Sequence, residues 1–136
     1  MKAWILPTLG TFVCWGLWSF LPKITTRYID PKSAIVYEVI GGIFFSIVVL
    51  YFMGFRLETH PKGIALAASA GLLGFLGALC FLFAVTKGPV SLIAPLSALY
   101  PILSVALAVI FLHEAITVKQ CIGIVFAILA VVLVTT

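Results

Sequence analysis

Four carboxylates are spread along this 136-residue chain, and one of them, Glu38, falls inside a long apolar run. An ionisable side chain at the middle of a membrane segment costs roughly 2.5–3.5 kcal/mol on insertion scales and usually marks a solute or ion pathway. Two readings of Glu38 stand. Either it binds a cationic group or carries a proton, or it lies near the interface, hydrated and favoured by the positive end of its helix. Gly41 and Gly42, one turn later, would let another helix or a ligand approach closely. Thr11, Trp15 and Trp18 share one helical face earlier in the chain. An aromatic pair beside a carboxylate could hold a flat or cationic ligand; the alternative is an interfacial aromatic belt, the reading that suits Trp4. Tyr37 and Tyr100 each carry a hydroxyl that needs a partner if buried.

A weakly polar stripe recurs further on, with Ala94, Ser97, Pro101, Ser104 and Ala108 at spacings of three and four. Pro95 and Pro101 predict breaks in that helix. Proline frees a backbone carbonyl that neighbours or water must satisfy, which suits a helix lining a cavity or bending during a transport cycle. A harmless kink is the plainer reading. The candidate lining of a site is therefore Thr11, Trp15, Trp18, Glu38, Ser97, Tyr100 and Ser104, with Pro95 and Pro101 as bending points. There is no metal-spaced histidine cluster, no phosphate-cradling glycine loop and no nucleophile–base pair. His113-Glu114 reads as a polar turn. Neither enzyme activity nor a cofactor or metal is expected.

The elements that must position these residues are apolar throughout. Hydrophobic residues make up 64% of the chain and charged ones 9%, with a mean hydropathy of +1.32. A soluble globule of this size could not cover itself with so little polar surface, so soluble enzymes, nucleic-acid-binding domains and disordered tails are excluded. The eight lysines and arginines are scattered singly between apolar runs, which argues against nucleic acid as a partner. Cys14, Cys80 and Cys121 each lie in an apolar run, so no disulfide framework is expected.

A membrane-crossing helix needs about 20 mainly apolar residues. Five such spans are predicted: Ala3 to Leu21, Ser33 to Met53, Ile64 to Val85, Val90 to Leu112, and Val118 to Thr135. The expected fold is thus all-α and integral to the membrane, with no barrel-like alternation. Pro22 is expected to close the first span. Asp30-Pro31 opens the second as N-cap and first helical residue. Gly54 follows the second, His60-Pro61-Lys62-Gly63 leads into the third, and Lys87-Gly88-Pro89 separates the third from the fourth. Thr117 with Gln120 predicts a capping box for the fifth. The first run reads as a span rather than a signal peptide, because it is long, carries three tryptophans and lacks a small-x-small site before Pro22.

Lys and Arg in short loops set membrane orientation. With five spans, Lys2, Arg56, Lys62 and Lys119 fall on one side and Lys23, Arg27, Lys32 and Lys87 on the other, so the bias is zero. A zero bias fits either an undetected small preference or dual topology, in which the chain inserts both ways and pairs with an inverted copy. Many transporters rock two inverted repeats around a site between them, and a five-span chain is half of such a machine. Small residues supply packing faces: Ala67, Ala70, Gly71, Gly74 and Ala78 in the third span, and Gly123, Ala127 and Ala130 in the fifth. They serve intra-chain packing or a subunit interface.

The stretches Lys87-Gly88-Pro89-Val90-Ser91, Ala94-Pro95-Leu96, Tyr100-Pro101, Phe111-Leu112-His113-Glu114 and Gln120-Cys121-Ile122-Gly123 resemble the EamA-type domain of the drug/metabolite transporter superfamily. Trp15-Gly16, with Lys23 beyond it, is similar too. The resemblance covers nearly the whole chain as one domain, residues 1–136, and is more specific in the C-terminal half. Length and span count look like the single-domain, five-helix bacterial and archaeal branch. Longer relatives carry ten helices in two inverted five-helix halves, so the resemblance implies an antiparallel homodimer in a cytoplasmic (inner) membrane. It implies transport of an amino acid, metabolite or drug-like cation by alternating access, often as export. Two departures stand out. His113 occupies a position that is often Gly in the family. The first-span glutamate of the four-helix multidrug branch is missing, so that branch's mechanism does not carry over. The competing expectation is a non-transporting membrane subunit that pairs with a larger protein; a channel fits less well, for want of repeated charged or carbonyl-rich rings.

Overall fold

The computed structural model describes residues 4–135, and every regular element among them is an α-helix. These are α1 (Ile5–Thr25), α2 (Pro31–Phe52), α3 (Pro61–Lys87), α4 (Val90–Ser97), α5 (Tyr100–Leu112) and α6 (Val118–Thr135). Five segments are long and apolar enough to cross a membrane, with α4 and α5 together forming the fourth. The chain divides into two compact units, one up to Lys87 and one from Gly88 onward.

The helix ends follow from local chemistry. Asp30 is extended (φ −71°, ψ 157°), and its carboxylate accepts from the N–H groups of Lys32 (3.1 Å) and Ser33 (3.3 Å), with Pro31 opening α2. At the other end of α2, Gly54 is left-handed (φ +63°). There the Gly54 N–H donates to Tyr51 O (3.0 Å) and the Phe55 N–H to Leu50 O (3.0 Å), the paired bonds of a Schellman stop. His60 opens α3: its Nδ1 accepts from the Gly63 N–H at 3.4 Å and its carbonyl from the Ile64 N–H at 2.9 Å. The capping box of α6 forms as expected, with the Thr117 N–H donating to Gln120 Oε1 (2.7 Å) and the Gln120 N–H to Thr117 Oγ1 (3.3 Å).

Pro22 does not close the first span. It lies inside α1, which continues to Thr25. Its missing N–H removes a donor from the Trp18 carbonyl, but its ring is fully buried and its own carbonyl accepts from the Thr26 N–H and hydroxyl, both at 2.9 Å. Buried packing thus offsets one lost hydrogen bond, as is common for proline in membrane helices.

In the first unit, α3 packs against both α1 and α2. The buried residues are Pro22 at the end of α1, Ala34 at the start of α2, and Ala78, Phe81, Leu82 and Val85 near the end of α3. All lie at the same end of the three-helix bundle. Lys23 fastens it: its Nζ donates to the Val85 carbonyl at 2.6 Å. The last carbonyls of a helix have no intrahelical donor and favour positive charge, so an α1 lysine completes the α3 terminus. The other halves of these helices carry no buried residue among those described.

In the second unit, the fourth span breaks at Ala98-Leu99, between the two prolines. Pro95 alone does not end α4; it sits inside it. Neither proline can donate, so the Ser91 and Ser97 carbonyls lose their regular partners. The chain tightens there, with the Leu99 N–H donating to Leu96 O (3.3 Å) and the Ile102 N–H to Leu99 O (3.0 Å). α5 ends at His113, left-handed at φ +53°, and the Glu114 N–H reaches back to Ala108 O at 3.3 Å. No described residue of this unit is buried.

Candidate functional site

Glu38 lies seven residues into α2, about 10 Å along a helix that rises 1.5 Å per residue. Trp18 precedes the end of α1 by seven residues and Phe81 precedes the end of α3 by six. Since α1 and α3 end where α2 begins, the three side chains form one layer, about 10 Å inside the bundle. The Trp18 indole stands at the level of the Glu38 carboxylate in this layer. Its ring lies 5.5 Å from that of Phe81, centroid to centroid, tilted by 34°. Trp18 remains 38% exposed while Phe81 is buried, so the indole keeps an open face. Glu38 is half-buried, and no salt bridge to it forms among the described residues.

A closed layer lies on one side of this site: Pro22, Ala34, Val85 and the Lys23 ammonium held on the Val85 carbonyl. On the other side, Gly42 of α2 faces Phe75 of α3. A Cβ at Gly42 would sit 3.3 Å from the Phe75 ring, so the glycine allows the close approach expected of it, whereas Gly41 faces open space.

The other sequence candidates are placed differently. Thr11 and Trp15 lie on the exposed part of α1, and the Thr11 hydroxyl donates to Pro7 O at 3.1 Å. Ser97, Tyr100 and Ser104 belong to the second unit. The Ser97 hydroxyl donates to Ala94 O (2.9 Å) and that of Ser104 to Tyr100 O (3.4 Å), both within the same span. Such back-bonding hides a hydroxyl in an apolar setting. Tyr37 is exposed. Two residues at this end of the bundle, Phe81 and Lys23, are not among the sequence candidates. Phe81 has no polar atom to mark it. Lys23 counts in the sequence as a loop charge and as part of the family resemblance, although a lysine in a last helical turn is also a recognisable donor to helix-end carbonyls.

Two open clefts are lined by other residues. One, of about 430 Å³, runs between α5 and α6, where Pro101, Val105 and Ala108 face Gly123, Ile124 and Ala127, with Glu114 and Gln120 among its lining. The other, of about 370 Å³, is bordered by apolar residues of α2 and the following turn, with Ser46 among them. Neither gathers several polar groups on one point. Of the small-residue faces, Ala78 is buried, whereas a Cβ at Gly71, Gly74 or Gly123 would meet nothing within 4 Å. The described residues hold no group of three or more His, Cys, Asp or Glu side chains placed to bind a metal.

The profile of the EamA-like transporter family matches residues 2–136. An uncharacterised protein of Methanocaldococcus jannaschii is 32% identical over 98% of this chain and 96% of its own length. An uncharacterised transporter of Archaeoglobus fulgidus is 29% identical over 99% of this chain, and one of Helicobacter pylori 27% identical over 86%. The match covers 48% and 41% of those two proteins, so this chain spans about half the length of either. No solved structure matches.

Proposed function

The chain belongs to the EamA-like transporter family, and from that premise we propose that it carries a small organic solute across a bacterial or archaeal cytoplasmic membrane by alternating access, two inverted copies forming the working unit. The observation that carries this reading is Glu38. Among the described residues it is the one side-chain carboxylate within a membrane-crossing helix, it lies about 10 Å from the helix end at the level of the Trp18 indole, and a closed layer separates it from that end. A buried-side carboxylate of this kind is costly unless it serves a pathway. One closed end opposite helix halves without buried residues suits a state open to a single side of the membrane.

Three observations support the inverted pair. The matched transporters are about twice as long as this chain. The loop charges are balanced between the two sides. Among the described residues, a Cβ at Gly71, Gly74, Gly77 or Gly123 would meet nothing within 4 Å. A second copy would place small residues against small residues, the arrangement that drives helix association in lipid.

The test is solute flux into proteoliposomes containing the purified chain, with a panel of cationic, zwitterionic and neutral amines. Wild-type protein is expected to move at least one of them. Glu38→Gln is expected to lower that flux at least tenfold while inserting normally. Full flux in Glu38→Gln under a proton gradient would remove Glu38 from the mechanism. No flux of any solute would favour a non-transporting subunit instead.

A further inference from the structure

We propose that the closed end of the first unit binds the phosphate of an anionic phospholipid through Arg27, Lys32 and Lys87, which stand at the ends of three different helices. The inference requires the chain to lie in a membrane; it does not depend on the chain transporting a solute.

The fold makes the first argument. α1 and α3 end where α2 begins, and the Lys23 Nζ, 2.6 Å from the Val85 carbonyl, pins the ends of α1 and α3 together. Arg27 follows Lys23 by four positions, and Lys87 follows Val85 by two, about 3 Å along the helix. Lys32 is the second residue of α2, across a short turn from Arg27. The sequence assigns these cations to one side of the membrane; packing gathers them at one end of one bundle.

The second argument is charge. The one carboxylate at this end, Asp30, turns its Oδ2 to the N–H groups of Lys32 and Ser33, at 3.1 and 3.3 Å. Arg27, Lys32 and Lys87 are exposed, and no salt bridge to any of them forms among the described residues. The third argument is level. With 27 residues α3 is about 40 Å long and outlasts a hydrocarbon core of roughly 30 Å, which leaves its charged last residue, Lys87, among the headgroups. Tyr28, next to Arg27 and 82% exposed, has the amphipathic ring typical of that interface. The anion found at this level, beside helices that face acyl chains, is a lipid phosphate. A guanidinium forks onto phosphate oxygens and lysines add point charges, so a basic cluster beside membrane helices favours anionic headgroups. A zwitterionic lipid carries an ammonium of its own and would set like charge against the three.

The test is native mass spectrometry of the full, delipidated chain from neutral detergent, titrated with phosphatidylglycerol and with phosphatidylcholine of the same acyl chains. Phosphatidylglycerol is expected to bind at least tenfold more tightly, and an excess of glycerol 3-phosphate, a soluble phosphate, should not displace it. Combining Arg27→Gln, Lys32→Gln and Lys87→Gln should cut the preference to under threefold with helicity unchanged. Arg27→Gln and Lys87→Gln alone should each weaken phosphatidylglycerol binding at least twofold, and they decide the matter should the triple variant not fold. Arg56→Gln with Lys62→Gln, which removes two charges at the far ends of α2 and α3, should leave the preference as it was. Equal affinity for the two lipids, a preference that survives the triple variant or both single ones, or an equal loss in the far-end pair overturns the proposal. Displacement by glycerol 3-phosphate overturns it in favour of a site for a free anion. Solute flux is not read in this experiment, so failure of the lipid site leaves the transport reading standing.

Discussion

Single residues in this chain act mostly on the helix ends next to them. Hydrogen bonds from the Ser33 side chain and from the Ser33 and Lys32 backbone hold the Asp30 carboxyl below the usual carboxylate range. A carboxyl whose pKa is lowered on folding stabilises the fold above its unfolded value and loses that contribution as pH falls through the folded one. Asp30→Asn, which caps without charge, should therefore melt below wild type at pH 7, and the gap in Tm should close as pH drops below about 4. His113 shows the opposite case. Its left-handed backbone, φ +53°, suits glycine better than histidine. His113→Gly is expected to stabilise the protein by roughly 1 kcal/mol in denaturant melts in detergent. A β-branched residue such as valine should destabilise it by more.

Between elements, the organising contact is the junction of α1 and α3. Lys23 gives the Val85 carbonyl a donor that α3 cannot supply itself. Lys23→Met would keep the length of the side chain and remove the charge and the donor. It should cost about 2 kcal/mol, the scale for a hydrogen bond to a charged group, and Lys23→Arg should recover most of it; thermal unfolding in detergent reads both. The fourth span illustrates how far proline placement alone can be read. Two prolines six residues apart announce a disrupted helix, yet each leaves its own segment helical and the break falls between them, at Ala98-Leu99. Pro22 makes the same point from α1, where burial of the ring lets the helix run on.

Across the whole molecule, the open question of sidedness turns into a measurement. Paired reporters fused to the C-terminus, each active on one side of the membrane, should both give signal if the chain inserts in two orientations and pairs with its inverted copy. Signal from one reporter alone would exclude the inverted homodimer and point to a separate, oppositely oriented partner. The balanced loop charges and the half-length match to the two transporters motivate the first outcome.

What could be read without coordinates was whatever depends on neighbours in sequence. Five apolar spans, the Asp30 cap, the glycine stop after α2 and the Thr117–Gln120 box involve residues a few positions apart or a simple sum of hydropathy, and each is in the structure. Glu38 stood out for the same reason, as a charge in an apolar run. Which groups it meets was decided only by tertiary packing. That Phe81 backs the Trp18 indole, that Lys23 spans 62 positions to Val85, and that Gly42 rather than Gly41 faces Phe75 all depend on how each helix is rotated about its axis. In water the apolar stripe of a helix sets that rotation. Here every face is apolar and lipid is as good a neighbour as leucine, so hydropathy leaves the rotation open, and close fit with a few polar contacts settles it.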